Sequence, residues 1–382
     1  MKNNILKFNE CANCGACHNT CPTKAITVSQ NDIFYKLHIN SDECIECGKC
    51  ITVCPVNNIF KKQNLISAIG AYSKDINIVE KSSSGGVFRL LADYILSNNG
   101  VVFGAAFCED FRKVKIKSTD EVSVEELQRS KYVESLVGDS FVKIKQNLEN
   151  NRTVLFCGCP CQVAGLKKFL SKDYENLYTC DFSCGGLPSH KLYEQYLDLL
   201  EKKYKSKIVS VDFRPKTYGW KMHAIKIEFA NGKKYNSLGV NDPFFSAFIY
   251  KHYSVRDDCL SCKFADNHYS DIVLADFWLY SQLSTFKEND GISLVITNSN
   301  KGENLLNIIK EKLVFQKLDI DSASYNMKKP FYTAEFLNVR KAFLHKAKNT
   351  DINNAAKIFC MPNKITRVKL IIKNNIKKLL NY

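Results

Sequence analysis

Two short cysteine runs near the start of the chain limit what it can fold into more than any other feature. They span residues 11–22 and 44–55, and both follow the pattern C-x2-C-x2-C-x3-C-P with a glycine at the same inner position. Three thiolates spaced in this way wrap one face of a 4Fe–4S cube. The fourth ligand crosses to the other cube, because so short a loop cannot fold back.

The pattern is that of the bacterial two-cluster ferredoxins, and it predicts which cysteines share a cluster. Structural zinc would need two C-x2-C pairs separated by a longer loop, whereas each run here already holds four cysteines. A disulfide framework would need an oxidising compartment, and the first residues of the chain form no signal peptide. The first cluster is expected on Cys11, Cys14, Cys17 and Cys54, and the second on Cys44, Cys47, Cys50 and Cys21.

The composition is that of an ordinary folded protein. The 382 residues are 45% hydrophobic and 24% charged, which suits two or three domains with a real core. A run of about 18 apolar residues is absent, so no membrane-spanning helix is expected. Seventeen cysteines without a signal peptide indicate a reducing cytoplasm and metal binding.

The formal net charge of +15 falls to about +11 when roughly two negative charges are counted for each bound cluster. A positive surface of this kind suits an acidic protein partner, a phosphorylated cofactor or anionic lipid. No zinc-finger or RNA-recognition motif accompanies it, so nucleic acid is not an expected partner.

The predicted fold class is α+β. A small ferredoxin-like two-cluster module (residues 1–62), with a hairpin at 25–28 and 35–39, precedes an α/β flavin-binding domain with a mixed, largely parallel sheet. That domain has an N-terminal part (63–150) and a C-terminal part (151–345), and a basic helical tail follows (346–382). Strand–turn–helix repeats carry this prediction. The expected strands are 101–107, 153–156, 177–182, 271–278 and 292–296, with antiparallel strands in 207–236, and the expected helices are 87–96, 139–149 and 190–204.

Three turns in the domain have the composition of binding loops. The Ser82–Gly86 loop opens a helix, whose free N–H groups and positive dipole end can hold a phosphate or can simply form an ordinary cap. The cysteine-bearing turns at 157–162 and 183–189 each follow a strand, which places them at the carboxyl edge of the sheet, where ligands bind. The chain has no G-x-G-x-x-G motif and no P-loop, so neither nucleotide fingerprint supports a cofactor assignment.

Together these motifs resemble the coenzyme F420 hydrogenase/dehydrogenase beta subunit family, which also includes plant 7-hydroxymethyl chlorophyll a reductase. The resemblance runs from about residue 5 to about residue 345. It is carried by the cysteine runs, 83–86, 130–133, 158–162, 184–189, 270–272 and 276–278. The chain departs from the family at Cys159, where the family usually has Thr, and at Gly185, where it has His.

The resemblance implies an FAD enzyme that passes electrons between iron–sulfur clusters and an organic substrate or a deazaflavin coenzyme. It implies that the flavin is lined by Ser83, Ser84, Gly85, Gly86, Gly158, Pro160 and Gln162. Lys131 is a candidate for the flavin pyrophosphate or for the N1/O2 edge of the ring, the alternative being a solvated surface lysine. No catalytic residue is assigned.

The remaining cysteines divide into two groups. Cys161, Cys184, Cys259 and Cys262 each lie in a family-like turn or pair, and could hold a third 4Fe–4S cluster nearer the flavin. The alternatives are structural zinc, a redox-active thiol pair or buried inert thiols. Cys157 and Cys159 are neighbours that could substitute, whereas Cys108 and Cys360 have no partner in pattern and are expected to be inert.

Three functions fit these features to different degrees. The first is an iron–sulfur flavoprotein oxidoreductase that exchanges electrons with ferredoxin or a partner subunit. The second is a non-catalytic electron-transfer subunit, which would not need the long region after the module. The third is an iron–sulfur redox sensor or nucleic-acid-binding protein, favoured only by charge.

The last residues, 364–382, are predicted to form a basic amphipathic helix. Such a helix can lie on an anionic membrane at the inner face or pack on its own domain or a partner subunit. Each Lys or Arg near an anionic surface contributes about 1 kcal/mol to the binding free energy.

If the membrane interpretation is right, the protein sediments with anionic liposomes, salt weakens the binding, and deletion of 364–382 abolishes it. Equal binding by the shortened chain excludes it.

Overall fold

The computed structural model describes residues 10–61, 64–279, 286, 291–325 and 331–361. The predicted tail helix at 364–382 lies outside these residues. The strands in the described part are β1 Ile26–Ser29, β2 Lys36–Ile39, β3 Ser67–Ser73, β4 Val101–Phe107, β5 Val114–Ser118, β6 Ser135–Leu136, β7 Val154–Cys157, β8 Leu177–Phe182, β9 Ile208–Asp212, β10 Ala224–Phe229, β11 Lys234–Leu238, β12 Ile272–Asp276, β13 Ser293–Thr297 and β14 Leu313–Lys317.

The α-helices in the same ranges are α1 Ala16–Thr20, α2 Lys49–Thr52, α3 Ile76–Glu80, α4 Val87–Ser97, α5 Val124–Leu127, α6 Ser140–Glu149, α7 Pro160–Leu170, α8 His190–Tyr204, α9 Pro243–Phe245, α10 Asp257–Leu260, α11 Asn300–Ile309, α12 Ile320–Tyr325, α13 Ala334–Asn349 and α14 Ile352–Phe359. None of them is long and apolar enough to cross a membrane.

The main sheet is mixed, as predicted, although less of it is parallel than the strand–turn–helix repeats indicated. Its strand order is β14-β3-β13-β12-β8-β7-β4-β5-β6. Only the central run β12-β8-β7-β4 is continuously parallel, and β13, β3 and β14 extend it with antiparallel pairings. The repeats predicted the centre correctly. Strands β3, β5 and β14 were not predicted, because β3 and β14 pair with each other across more than 200 residues of chain and β5 is joined to β4 without a helix.

Helices cover both faces of this sheet, because successive strand residues point to opposite sides. Val102 and Ala106 of β4 pack with α4 and α11. Val101 and Phe103 of the same strand pack with α6 and α7. A separate core joins the small β11-β10-β9 sheet to α8, α13 and α14. The carboxyl ends of β7, β8 and β12 therefore open between two helical layers.

The ferredoxin-type module is fixed to the domain by side chains from both partners. α1 packs against α7. The ring of Tyr35, beside β2, stacks on His190 at the start of α8, with ring centroids 3.7 Å apart and planes 5° from parallel. The buried guanidinium of Arg256 donates to the carbonyl oxygens of Tyr35 at 2.8 Å and Cys11 at 3.1 Å. The module is thus held directly against the domain.

Gly165 of α7 lies at a close approach between the module and the domain. A Cβ at this position would stand 2.9 Å from Cys14 Sγ and 3.1 Å from the Cys14 carbonyl oxygen. The helix can lie against the Cys14 loop because this residue has no side chain.

We expect Gly165→Ala to destabilise the protein by roughly 1–3 kcal/mol, because overpacking a tight contact forces backbone shifts. Cluster absorbance followed in increasing denaturant measures it, with a lower midpoint expected. Gly104→Ala is the matched control, since its Cβ would make only ordinary contact, 3.5 Å from Leu127. An unchanged denaturation midpoint for Gly165→Ala would show that the contact between α7 and the Cys14 loop can accommodate a methyl group.

Candidate functional site

The first predicted cysteine set is gathered at the interface between module and domain. Burial, followed by charge on Cys11 and Cys54, raises the pKa of Cys17 to about 12. Burial also raises the pKa of Cys14 well above its usual value, with Cys17 and Cys11 adding to the rise. These thiols would give up their protons only to a metal centre that stabilises thiolates. The backbone N–H of Asn13 donates to Cys11 Sγ at 3.3 Å, as cluster sulfurs require.

The second predicted set lies on the outer side of the module. Cys47 is exposed, whereas Cys21, Cys44 and Cys50 are half-buried. Cys50 is close enough to Cys17 that its charge would raise the pKa of Cys17, so the two sets are adjacent. Gly48, the N-cap of α2, has φ +71°, a conformation that lets the loop curl back toward its cysteines. Its position would bring the second cluster nearest to solvent.

The third predicted set surrounds one small cavity. Cys161, Cys184, Cys259 and Cys262 line a space of about 40 Å³. Burial, then charge on Cys184 and Cys161, raises the pKa of Cys259 well above its usual value. Burial raises the pKa of Cys262 to about 11, again with contributions from Cys161 and Cys184. Phe264 N–H donates to Cys262 Sγ at 3.4 Å. The structure thus brings together four cysteines from three separate segments of the chain.

The donor set of this cavity fits a cluster of several irons. Among the residues that the structure describes, no three His, Cys, Asp or Glu side chains are grouped so as to hold a single metal ion. That finding concerns one ion, and a cube with four corner irons holds its thiolates further apart. A set of four thiols is the ligand set that 4Fe–4S clusters take.

The first and third sets face each other across the start of α7. Charge on Cys161 contributes to the raised pKa of Cys14, so these two thiols are neighbours. Arg256 lies in the same region, and the charges of Cys11 and Cys259 both raise its pKa. The two proposed clusters would therefore share one positive neighbour.

Arg256 is itself held by the buried carboxylate of Glu134. Its Nη1 lies 3.2 Å from Glu134 Oε1, and Asn13 Nδ2 donates to the same oxygen at 2.6 Å. Burial alone would lower the pKa of Arg256, but Glu134 raises it. The guanidinium stays charged, and a fixed positive charge stabilises the electron-rich state of a nearby cluster. Arg256 and Glu134 belong to no motif in the sequence, so the sequence analysis did not predict this pair.

A larger cavity of about 500 Å³ opens at the carboxyl edge of the central strands. Among the residues predicted to bind the flavin, Ser83, Ser84, Gly86, Lys131, Gly158 and Gln162 line it. Gly85 lies outside the wall, because it packs on β3, where a Cβ would meet the Ala71 carbonyl oxygen at 2.3 Å. Pro160 lines the smaller four-cysteine cavity instead.

The Ser82–Gly86 loop forms one end of the large cavity and is held by its own hydrogen bonds. Ser83 Oγ accepts from the Ser130 N–H at 2.9 Å, which joins two of the predicted motifs. Gly86 caps α4 with φ +85°, and a Cβ there would stand 2.6 Å from Ile78 Cγ2. The glycine is thus required for the loop itself. The free N–H groups that can face a ligand are those at the start of α4, at Val87 and Phe88, which line the cavity.

Lys131 lies in the wall near this loop. Its Nζ donates to the carbonyl oxygens of Glu126 at 2.6 Å and Gln128 at 2.5 Å. Burial lowers the pKa of Lys131 to about 7, although charge on Cys157 opposes the shift. A lysine amine of this kind takes up a proton readily when an anionic group enters the cavity, because a nearby negative charge raises its pKa.

Aromatic and apolar side chains form the rest of the cavity wall. Phe182, Phe248, Leu274 and Trp278 line it. Trp278 is 40% exposed, and its ring stacks on that of Trp220, with centroids 4.9 Å apart. His223 also lines the wall, and burial lowers its pKa to about 4. Trp278 belonged to a recognised motif, whereas nothing in the sequence pointed to His223 or Trp220.

One short segment, Cys184–Leu187, lines both cavities. A buried pair stands beside it: His268 Nδ1 lies 2.8 Å from Asp181 Oδ1. Burial opposes protonation of His268, but Asp181 raises its pKa. The pKa of Cys184 is lowered, chiefly by a hydrogen bond with Cys159 and also by His268. The four-cysteine cavity and the large cavity therefore share this segment as a common wall.

Comparison with known proteins agrees with the predicted resemblance. Residues 151–323 match the family described as the C terminus of the beta subunit of coenzyme F420 hydrogenase/dehydrogenase, and residues 10–58 match the 4Fe-4S dicluster domain. A chain of the F420-reducing NiFe hydrogenase complex from Methanosarcina barkeri is similar among solved structures, at 15% identity and a TM-score of 0.46 over 80% of this chain and 98% of that one. No curated protein matches. The two domain matches bear out the predicted resemblance for residues 151–323 and 10–58.

If the four-cysteine cavity holds a cluster, Cys259→Ser combined with Cys262→Ser removes about four irons and four sulfides from a total of about twelve. Iron and acid-labile sulfide are measured on anaerobically purified protein. Cys108→Ser is the control and should leave both unchanged. A total of about eight that the double substitution does not lower would contradict the assignment, and loss of one zinc instead would indicate a structural metal.

Proposed function

We propose that this chain, which carries a 4Fe–4S dicluster domain and the C-terminal domain of an F420 hydrogenase/dehydrogenase beta subunit, is an iron–sulfur flavoprotein oxidoreductase. The observation that carries the proposal is the shared wall at Cys184–Leu187. It separates a four-thiol cavity from a cavity large enough for a cofactor. A one-electron inlet and a two-electron site would then stand side by side.

The residues of the large cavity suit FAD. Donors gather at one end, where Val87 and Phe88 offer helix N–H groups and Lys131 offers an ammonium, a combination that binds phosphates. Apolar and aromatic side chains occupy the rest of the wall, as a flavin ring requires. When bound, a flavin exchanges single electrons with clusters and paired electrons with organic molecules.

The three cysteine sets support an electron route through the chain. Exposed Cys47 marks the outer set, Cys50 adjoins Cys17, and Cys14 adjoins Cys161. The outer set would meet the electron-carrying partner, a ferredoxin or a partner subunit. Arg256 would hold the inner two sets at a favourable potential. Trp278 and His223 would line the approach of the organic substrate or deazaflavin coenzyme.

The absorption spectrum and cofactor content of anaerobically purified full-length protein test this proposal. We expect flavin bands above a broad cluster shoulder, with about one FAD per chain released by acid. The flavin should be non-covalent, since it is expected to be held by loops and helix ends. A chain that keeps about eight or twelve irons but takes up no flavin under oxidising or reducing conditions would instead be a non-catalytic electron-transfer subunit.

Lys131 predicts a pH dependence for flavin binding. Its pKa of about 7 means that the free protein carries this charge only at lower pH, and an anionic ligand raises that pKa. FAD affinity should therefore fall as pH rises above about 7, by up to about tenfold per unit until the pKa of the bound state is reached. Fluorescence titration between pH 6 and 9 measures it.

The matched variants for this titration are Lys131→Met and Lys81→Met. Lys131→Met should bind FAD weakly and lose the slope. Lys81 is exposed next to the Ser82–Gly86 loop and outside the cavity wall, so its loss should leave the slope unchanged. A slope that persists in Lys131→Met would place the flavin phosphates elsewhere.

A further inference from the structure

Cys157 and Cys180 occupy paired positions on neighbouring strands. Cys157 ends β7, Cys180 lies in β8, and the two are register partners in a parallel pairing. Neighbouring strands stand about 4.8 Å apart, and disulfides join Cα atoms separated by roughly 4.4–6.8 Å. Because register partners point to the same face of a sheet, the two thiols share one side.

The two thiols differ in their access to solvent. Cys157 is half-buried and lines the large cavity. Cys180 is fully buried in the core that α4 and α11 share with the sheet. The neighbouring Cys157 thiol, together with burial, raises the pKa of Cys180 well above its usual value. One thiol can meet a ligand in the cavity, and the other lies beside it in the core.

The pair is separate from the proposed cluster ligands. Those ligands are the eight cysteines of the module and the four around the small cavity, and neither Cys157 nor Cys180 belongs to either group. Lys131 is close enough to Cys157 for a charge there to favour its ammonium. An accessible thiol with a buried partner and a lysine nearby is the arrangement that thiol–disulfide exchange uses.

We propose that Cys157 and Cys180 form a redox-active dithiol that exchanges with a small organic disulfide entering the large cavity. The inference deepens the proposed function, because reduction of the pair back to two thiols uses the two electrons that the cluster-and-flavin route supplies. It names the class of substrate that this site can reduce.

The exchange proceeds in two balanced steps. The Cys157 sulfur attacks one sulfur of R–S–S–R, which forms a mixed disulfide and releases R–S⁻, and the Cys157 proton ends on that product as R–SH. The Cys180 sulfur then attacks the Cys157 sulfur, which forms the Cys157–Cys180 disulfide and releases a second R–SH with the Cys180 proton. Two electrons and two protons return the pair to its dithiol state.

Mass spectrometry of the intact holoprotein tests the proposal with hydroxyethyl disulfide as the probe. Anaerobic protein is incubated with the probe, iron is measured before and after, and free thiols are alkylated during denaturation. Trypsin places Cys157 in 153–167 and Cys180 in 173–191. We expect these two peptides to be linked, and fragmentation to place the link at Cys157 and Cys180. Excess dithiothreitol should remove it.

Single substitutions separate the two roles. In Cys180→Ser the reaction should stop at a hydroxyethyl adduct on Cys157, because the second attack is lost. In Cys157→Ser, Cys180 should carry neither link nor adduct, because it is buried. Cys159→Ser should keep the link. The first peptide also holds Cys159 and Cys161 and the second also holds Cys184, so Cys159–Cys184 and Cys161–Cys184 are the competing pairs.

Two results would overturn the proposal. One is full alkylation of Cys157 and Cys180 after exposure to the probe with iron unchanged. The other is a link that fragmentation places between Cys184 and either Cys159 or Cys161. FAD content, measured on the same samples, keeps this result apart from the proposed function: the dithiol can react in a chain without flavin, and a flavin-loaded chain can lack the dithiol reaction.

Discussion

The arrangement of the site depends on the close approach of the Cys14 loop to helix α7. Gly165 permits this approach, because any side chain there would meet Cys14. The helix that receives the module also begins at the carboxyl edge of β7 and carries Cys161 near its first turn. One contact therefore brings the first cysteine set beside the third. Tyr35 on His190 and Arg256 on the Cys11 carbonyl oppose rotation of the module about this point.

The site lies at the carboxyl ends of the central parallel strands. The turns that follow these strands also form the walls of its two cavities. β7 and β8 deliver the turns that bear Cys159–Gln162 and Cys184–Leu187, and β12 delivers Asp276 and Trp278 to the same edge. Cys184–Leu187 then lines a thiol-rich cavity on one side and a mixed polar and aromatic cavity on the other. The account of this protein as a converter between one- and two-electron chemistry depends on that shared wall.

The sequence predicted the elements whose signals are local. The cysteine spacing and the strands at 101–107 and 177–182 needed only periodicity and motif rules, and the structure has both strands with the predicted bounds. The antiparallel strands β3, β5 and β14 were missed because their neighbours in the sheet are distant in the chain or joined without a helix. Partners such as Arg256 with Glu134 and His268 with Asp181 were invisible for the same reason.

Some motif residues have structural roles that the motif itself does not reveal. Gly86 is a glycine because of its positive φ and its contact with Ile78. Asp271 accepts hydrogen bonds from the Thr179 N–H at 2.8 Å and from Ser299 Oγ at 2.6 Å, so it joins β8 to the turn after β13. Recognising a motif showed where a functional region lies, and only side-chain contacts separated residues that line the cavity from residues that shape it.

The most direct test of the account is an iron-edge anomalous difference map from crystals of the full chain grown without oxygen. The account predicts three iron peaks, two in the module and one among Cys161, Cys184, Cys259 and Cys262, with flavin density on the opposite side of Cys184–Leu187. Iron confined to the module, with the large cavity lacking a flavin, would contradict it.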